Sequence, residues 1–206
     1  EAWTKITYRS DEELKQQRDL LSAKAHKHGI KMNREDNNFS VDYNWVVNKS
    51  VADLHDIANQ IRSTARRKGY RSRRDIIGAI ASFVQELKYQ LPPEHRFNDD
   101  GEKILTAGAT MPLETLAKQC GDCDTKSLLF AGLIRSISLV DVIFVAIEDH
   151  LFTAIRMNPS QGDHSIRHKG RNWVLLELSD SWPIGHVPEN HLSVIRSGKY
   201  SVIDID

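Results

Sequence analysis

Hydrophobic positions in this chain change their period once, near residue 138, from helical spacing to strict alternation. Residues 11–28, "DEELKQQRDLLSAKAHKH", predict a polar helix with acids leading, bases trailing and Gly29 as its stop. "NNFSVDYNWVV" (37–47) is aromatic and β-branched and predicts a short strand or a docked extended segment. Ser50 with Asp53 reads as a capping box, and Val51, Leu54, Ile57, Ala58, Ile61 and Ala65 follow at helical spacing as far as Gly69. Ser72 with Asp75 repeats the device ahead of Ile76, Ile77, Ile80, Phe83, Val84 and Leu87. The stretch 91–103 reads as a loop, punctuated by Pro92, Pro93 and Asn98 to Gly101. A short helix is expected near Pro112. A longer one follows from about Asp122 to Ile137, with Leu128, Leu129, Leu133, Ile134 and Ile137 as its buried stripe.

Beyond that point "VDVIFVAIED" (140–149), "HLFTAIRM" (150–157), "NWVLLELS" (172–179) and "YSVIDI" (200–205) predict strands. Helices first and strands afterwards imply an α+β fold with an antiparallel sheet. The division falls near residue 70: residues 1–70 form an N-terminal helical segment, either a layer packed on the rest or a small module, and 71–206 the main domain.

Composition adds mainly exclusions. Lys plus Arg and Asp plus Glu both total 28, so overall charge favours neither nucleic acid nor an anionic surface. The one basic run, "RSTARRKGYRSRR" (62–74), fits a helix C-terminus on a solvated face, although Arg73 and Arg74 open the next helix. No apolar run approaches the roughly 18–20 residues of a membrane span. The chain begins at Glu1 and reads as trimmed, with an extracytoplasmic location favoured over a cytoplasmic one. Oligomeric state stays open.

Chemistry is concentrated in "LAKQCGDCDTKSLLFAGLIRS" (116–136), which holds both cysteines, Cys120 and Cys123. Three readings compete. A Cys₂His₂ zinc site would draw on His164 and His168, but these lie some forty residues away in a stretch that reads as loop. A redox pair would need a strand before Cys120, whereas "MPLETLAKQ" looks helical and would make Cys120 a helix end. A single nucleophile fits better: Cys123 opens an apolar helix whose free N–H groups favour a negative sulfur, Asp122 is a plausible N-cap, and Gly121 allows a tight turn. Asp122 and Asp124 oppose a thiolate, so a cationic imidazole partner matters more.

Gly121-Asp122-Cys123-Asp124 before an apolar helix, a histidine opening a strand, and an acid in the next strand resemble the transglutaminase-like superfamily, over about Phe83 to Gly185. The resemblance implies a papain-like core with N-terminal helices packed on an antiparallel sheet, and assigns Cys123 as nucleophile, His150 as base and Glu177 as the acid that orients it. It further implies an oxyanion donor, for which Tyr89, Gln90 or the Cys123 N–H are candidates, with Asp122 in support. Asp180 is a rival acid, and His186 and His191 are rival bases. Strand parity agrees with the pairing, placing His150, Phe152 and Ala154 on one face and Trp173, Leu175 and Glu177 on one face. A lone glutamate inside "VLLEL" also needs a partner if buried.

The resulting expectation is a cysteine acyl-transfer enzyme of the short bacterial type, most simply a peptidase or amidase acting on a protein or peptide, with no metal or organic cofactor. An amine-acceptor transglutaminase and a non-catalytic binding module remain as alternatives. Cys120 is either a packing residue or a redox partner of Cys123.

Overall fold

The computed structural model describes residues 7–33, 38–91, 93, 95–97, 100–105 and 109–206. In chain order the elements are α1 Asp11–Lys27, β1 Ile30–Asn33, β2 Asn38–Val41, α2 Tyr43–Arg67, α3 Arg73–Gln85, β3 Lys88–Tyr89, β4 His95–Phe97, β5 Lys103–Leu105, α4 Pro112–Lys118, β6 Cys120–Gly121, α5 Cys123–Ser136, β7 Val142–Ile147, β8 His150–Arg156, β9 Ser165–His168, β10 Arg171–Leu176, α6 Glu189–Arg196 and β11 Ser201–Asp204. The fold is α+β. Five strands form an antiparallel sheet in the order β11-β7-β8-β10-β9, with helices on both of its faces.

α5 is the hub. A stripe was expected, yet Phe130, Ala131 and Gly132 are buried along with Leu128, Leu129, Leu133 and Ile134. A helix apolar all round belongs inside the core, and α5 lies between the sheet and α2, α3 and α4. Gly132 explains how close α2 can come, since a Cβ there would stand 2.6 Å from Leu54 Cδ1. α2 supplies Val46, Val47, Leu54, Ala58 and Ala65 to the same core, whereas no residue of α1 is buried. The opposite face of the sheet, with Phe152, Ala154, Trp173 and Leu175, packs against Leu192 and Ile195 of α6.

Several local expectations are corrected. The helix expected at Ser50 starts at Tyr43, where the Asp42 carboxylate accepts the Trp45 N–H; Ser50 sits mid-helix with its hydroxyl bonded to the Val46 carbonyl. Only Asn38–Val41 of the expected strand over 37–47 is extended (Asn37 lies outside the described residues), because burying Val46 and Val47 against α5 outweighs their β propensity. The stretch 91–103 holds β4 and the first residue of β5, which pair as a hairpin; Pro92, Glu94, Asn98 and Asp99 lie outside the described residues. The loop expected around His164 and His168 contains β9, and the rival base His191 lies on α6. The Ser72/Asp75 capping box forms as expected.

Candidate functional site

The site grows from one end of the sheet. Strands β8 and β10 pair with Leu176 opposite Thr153, so one further step sets Glu177 across from Phe152 and diagonal to His150. There His150 Nε2 meets Glu177 Oε2 at 2.8 Å, with side-chain exposures of only 11% and 2%. The other oxygen, Oε1, accepts the Ser179 N–H at 2.7 Å and the Ser179 hydroxyl at 2.6 Å. Burial pushes the Glu177 carboxyl up, but the bonds from His150 and Ser179 outweigh it and hold the group below its ordinary range. An ionised carboxylate can only accept, so Nε2 carries the proton and the lone pair of a neutral His150 lies on Nδ1.

Cys123 opens α5 with Asp122 as its N-cap, whose carboxylate accepts the Thr125 N–H at 2.9 Å. The thiol donates its proton to Asp124 Oδ1 at 3.5 Å, while the backbone N–H of Leu151, the residue after His150, favours a charged sulfur. Asp124 Oδ2 in turn accepts the Tyr43 hydroxyl at 2.7 Å. Burial, with the Asp124 and Asp122 carboxylates behind it, pushes the Cys123 thiol up to about 12. The resting sulfur is therefore a thiol. By strand parity His150 leaves the sheet on the α6 side and Leu151 on the α5 side, so nucleophile and base reach the strand end from opposite faces.

The remaining candidates sort plainly. Tyr89 is half-exposed, and its phenol is pushed up by burial and by the charges of Cys123 and Asp122, which puts it within electrostatic reach of the sulfur. Gln90 has an exposed side chain, while its backbone N–H binds the Gly121 carbonyl at 3.1 Å and extends the parallel β3–β6 pairing. Asp122 is an acceptor at a helix cap, and burial raises its carboxyl. Asp180 is exposed and its carboxylate accepts the Ser181 N–H at 2.7 Å. Cys120 is a half-buried free thiol in β6 rather than a helix end; α4 stops at Lys118, with Gln119 left-handed at φ 55°. Gly121 is required for close packing rather than for a turn, because a Cβ there would stand 2.8 Å from Thr125 Cγ2.

His168 bonds Asp204 at 3.0 Å, and His164 faces the exposed His186, so the two cysteines gain no histidine pair. Among the described residues one group gathers three possible metal ligands, His150, Glu177 and His191, within 4.8 Å of one another. The His150 and His191 rings stack at 4.8 Å and 25°, so their nitrogen lone pairs run side by side and do not converge on one point. This arrangement is a hydrogen-bonded pair under a second ring rather than a chelate. Among the described residues His191 Nδ1 is buried with no hydrogen-bond partner, and burial together with the neighbouring His150 lowers its imidazole below the usual range.

Sequence reasoning missed Lys126, Ser179, Gln85 and Tyr43. A signal existed for Lys126, because it shares a helical stripe with Phe130 and Leu133. Compared with protein-family models and with curated proteins, the chain matches none.

Proposed function

We propose that this chain is a cysteine-nucleophile acyl-transfer enzyme that hydrolyses an amide or peptide bond through Cys123, His150 and Glu177. The observation behind this reading is the buried 2.8 Å pair of His150 and Glu177, its spare carboxylate oxygen already held by Ser179. The helix-on-sheet order agrees with the papain-like core that the sequence resemblance implies. In this reading His150 Nδ1 takes the thiol proton and the sulfur attacks the carbonyl carbon. The developing oxyanion is stabilised by the free N–H groups at the start of α5 and by the Tyr89 hydroxyl. The imidazolium then returns its proton to the leaving amine, and water releases the acyl group by the same route. Glu177 holds the tautomer and balances the imidazolium charge.

A non-catalytic binding module is the second reading, favoured by the high thiol and by the approach of sulfur and imidazole from opposite faces. Iodoacetamide alkylation followed against pH, in a Cys120→Ser background with labelling assigned by mass spectrometry, separates the two. Expected is alkylation of Cys123 at neutral pH that slows at least about tenfold in His150→Ala, because the imidazole takes the thiol proton as the sulfur attacks. Equal alkylation rates in both proteins across the pH range overturn the enzyme.

A further inference from the structure

The side chain of Lys126 is fully buried, at 0% exposure, and sits three residues after the proposed nucleophile on α5. A buried ammonium is costly, and a methionine of similar reach would cost far less to bury. The ammonium donates to two backbone carbonyls instead, that of Gln85 at the end of α3 at 3.2 Å and that of Ser179 at 3.3 Å. Gln85 closes the arrangement, its Nε2 donating to the carbonyls of Glu177 and Trp182, both at 2.8 Å. Lys126 and Gln85 together therefore hold three carbonyls of the turn 177–182 from the α5 side. That turn also carries the N–H and hydroxyl of Ser179, which grip Glu177 Oε1.

We propose that Lys126 is a positioning residue: by clamping the Ser179 carbonyl to Gln85 it fixes the 177–182 turn, so that Ser179 saturates Oε1 and Glu177 presents Oε2 to His150. The line of force runs from Lys126 Nζ to the Ser179 backbone, from Ser179 to Oε1, and from Oε2 to His150 Nε2, each link a hydrogen bond. Charge suits the task. An ammonium polarises both carbonyls more strongly than a neutral donor, and Asp180, Glu177 and Glu86 favour its charged form against the burial that lowers it. No contact of Lys126 with substrate or sulfur is required.

The inference rests on His150 and Glu177 being the working pair, and its test separates the two ideas. Lys126→Met keeps length and bulk but cannot donate; Gln85→Leu removes the other half of the clamp from a less buried place, should Lys126→Met not fold. Each is compared with wild type and His150→Ala by low-field proton NMR of the His150 Nε2–H and by alkylation at pH 7. Expected in Lys126→Met, or in its substitute, is loss or upfield shift of the Nε2–H signal and a roughly 30-fold slower alkylation of Cys123, with folding kept as judged by a cooperative thermal transition. Lys126→Arg, which can still donate to both carbonyls, recovers part of the signal. A folded Lys126→Met with wild-type resonance and wild-type alkylation overturns the clamp. Wild type alkylating no faster than His150→Ala refutes the triad instead, while the NMR signal still reports whether Lys126 positions Glu177.

Discussion

Two buried carboxylates anchor the segments around the sheet, and they are built for opposite ends. Asp163 is 3% exposed and takes a bidentate Arg74 at 2.7 and 2.8 Å, plus the Ser160 N–H at 2.7 Å. Arg74 spends a further N–H on the Ile184 carbonyl. Both carboxylate oxygens there are engaged by the guanidinium, whose planar fork matches them. Glu177 is just as buried, yet its partner is an imidazole with a nitrogen to spare. In both, burial would raise the carboxyl and hydrogen bonding brings it down. The first is a rivet between α3 and a loop. The second is a relay with one open end, which is what the proposed chemistry needs.

The largest expected effect separates these roles directly. Glu177→Gln keeps the shape and most hydrogen bonds, but its amide NH₂ would face Nε2 and turn the imidazole to the tautomer with Nδ1 protonated. Alkylation at neutral pH should fall about 10³-fold, the scale seen when an orienting acid is neutralised, while the melting temperature changes by only a few degrees. A Glu177→Gln protein that alkylates like wild type would make the pair structural, no different in kind from the Asp163 rivet.

Arg74→Met should show the reverse. Removing the guanidinium strands a buried carboxylate, which costs about 3–5 kcal/mol for a fully buried pair; with Arg74 a third exposed, about 2–3 kcal/mol is expected, or roughly 5–10 °C in melting temperature. Alkylation of Cys123 should not change. The pH dependence has a definite sign. In wild type the Asp163 carboxyl is depressed, so its contribution is present above the ordinary carboxylate range and is lost as pH falls through the depressed value. In Arg74→Met the Ser160 N–H is left to oppose burial without the guanidinium and the carboxyl rises, so the deficit should shrink as pH is lowered from 7 towards 5. Scanning calorimetry at several pH values checks both halves; a deficit that widens on acidification would mean that Asp163 found another cation.

This difference also governs what could be read from residue order. The Ser72/Asp75 box, the α5 run and the parity of β8 against β10 are local patterns, and each forms where its pattern stands. Cys123 could be nominated from its place at the start of an apolar helix, whereas His150 and Glu177 came as what the family resemblance implies, with strand parity in agreement. Arg74 and Asp163 could not be paired in advance: they are 89 positions apart, and "NPSQGD" looks like any polar loop. α2 was misjudged at its start because the Tyr43–Val47 stretch favours strand locally, and only burial against α5 decides for helix. α6 was missed because eight residues after a proline, with His191 among them, leave little periodicity to detect. Lys126 stood in plain view, but two of the three elements enclosing it come from more than forty residues away.

A third carboxylate sharpens the comparison by its smaller effect. Asp124 is half-buried and divides its oxygens between the Cys123 thiol and the Tyr43 hydroxyl. Unlike Glu177 it works against the proposed nucleophile, since burial raises the thiol and the Asp124 charge raises it further. Asp124→Asn keeps an oxygen for the S–H and removes the charge, so the thiol should come down from about 12. In a His150→Ala background, where no imidazole masks the effect, alkylation at pH 8 should speed up roughly three- to tenfold, one unit of thiol acidity corresponding to a factor of ten. Tyr43→Phe should do the opposite and by less, because it takes away a donor that partly offsets the same carboxylate. Unchanged rates in both variants would show that Asp124 does not bear on the sulfur, leaving burial alone to hold the proton there. Opposite shifts would instead mark Asp124 as the group that the His150 imidazolium has to overcome whenever the thiolate forms.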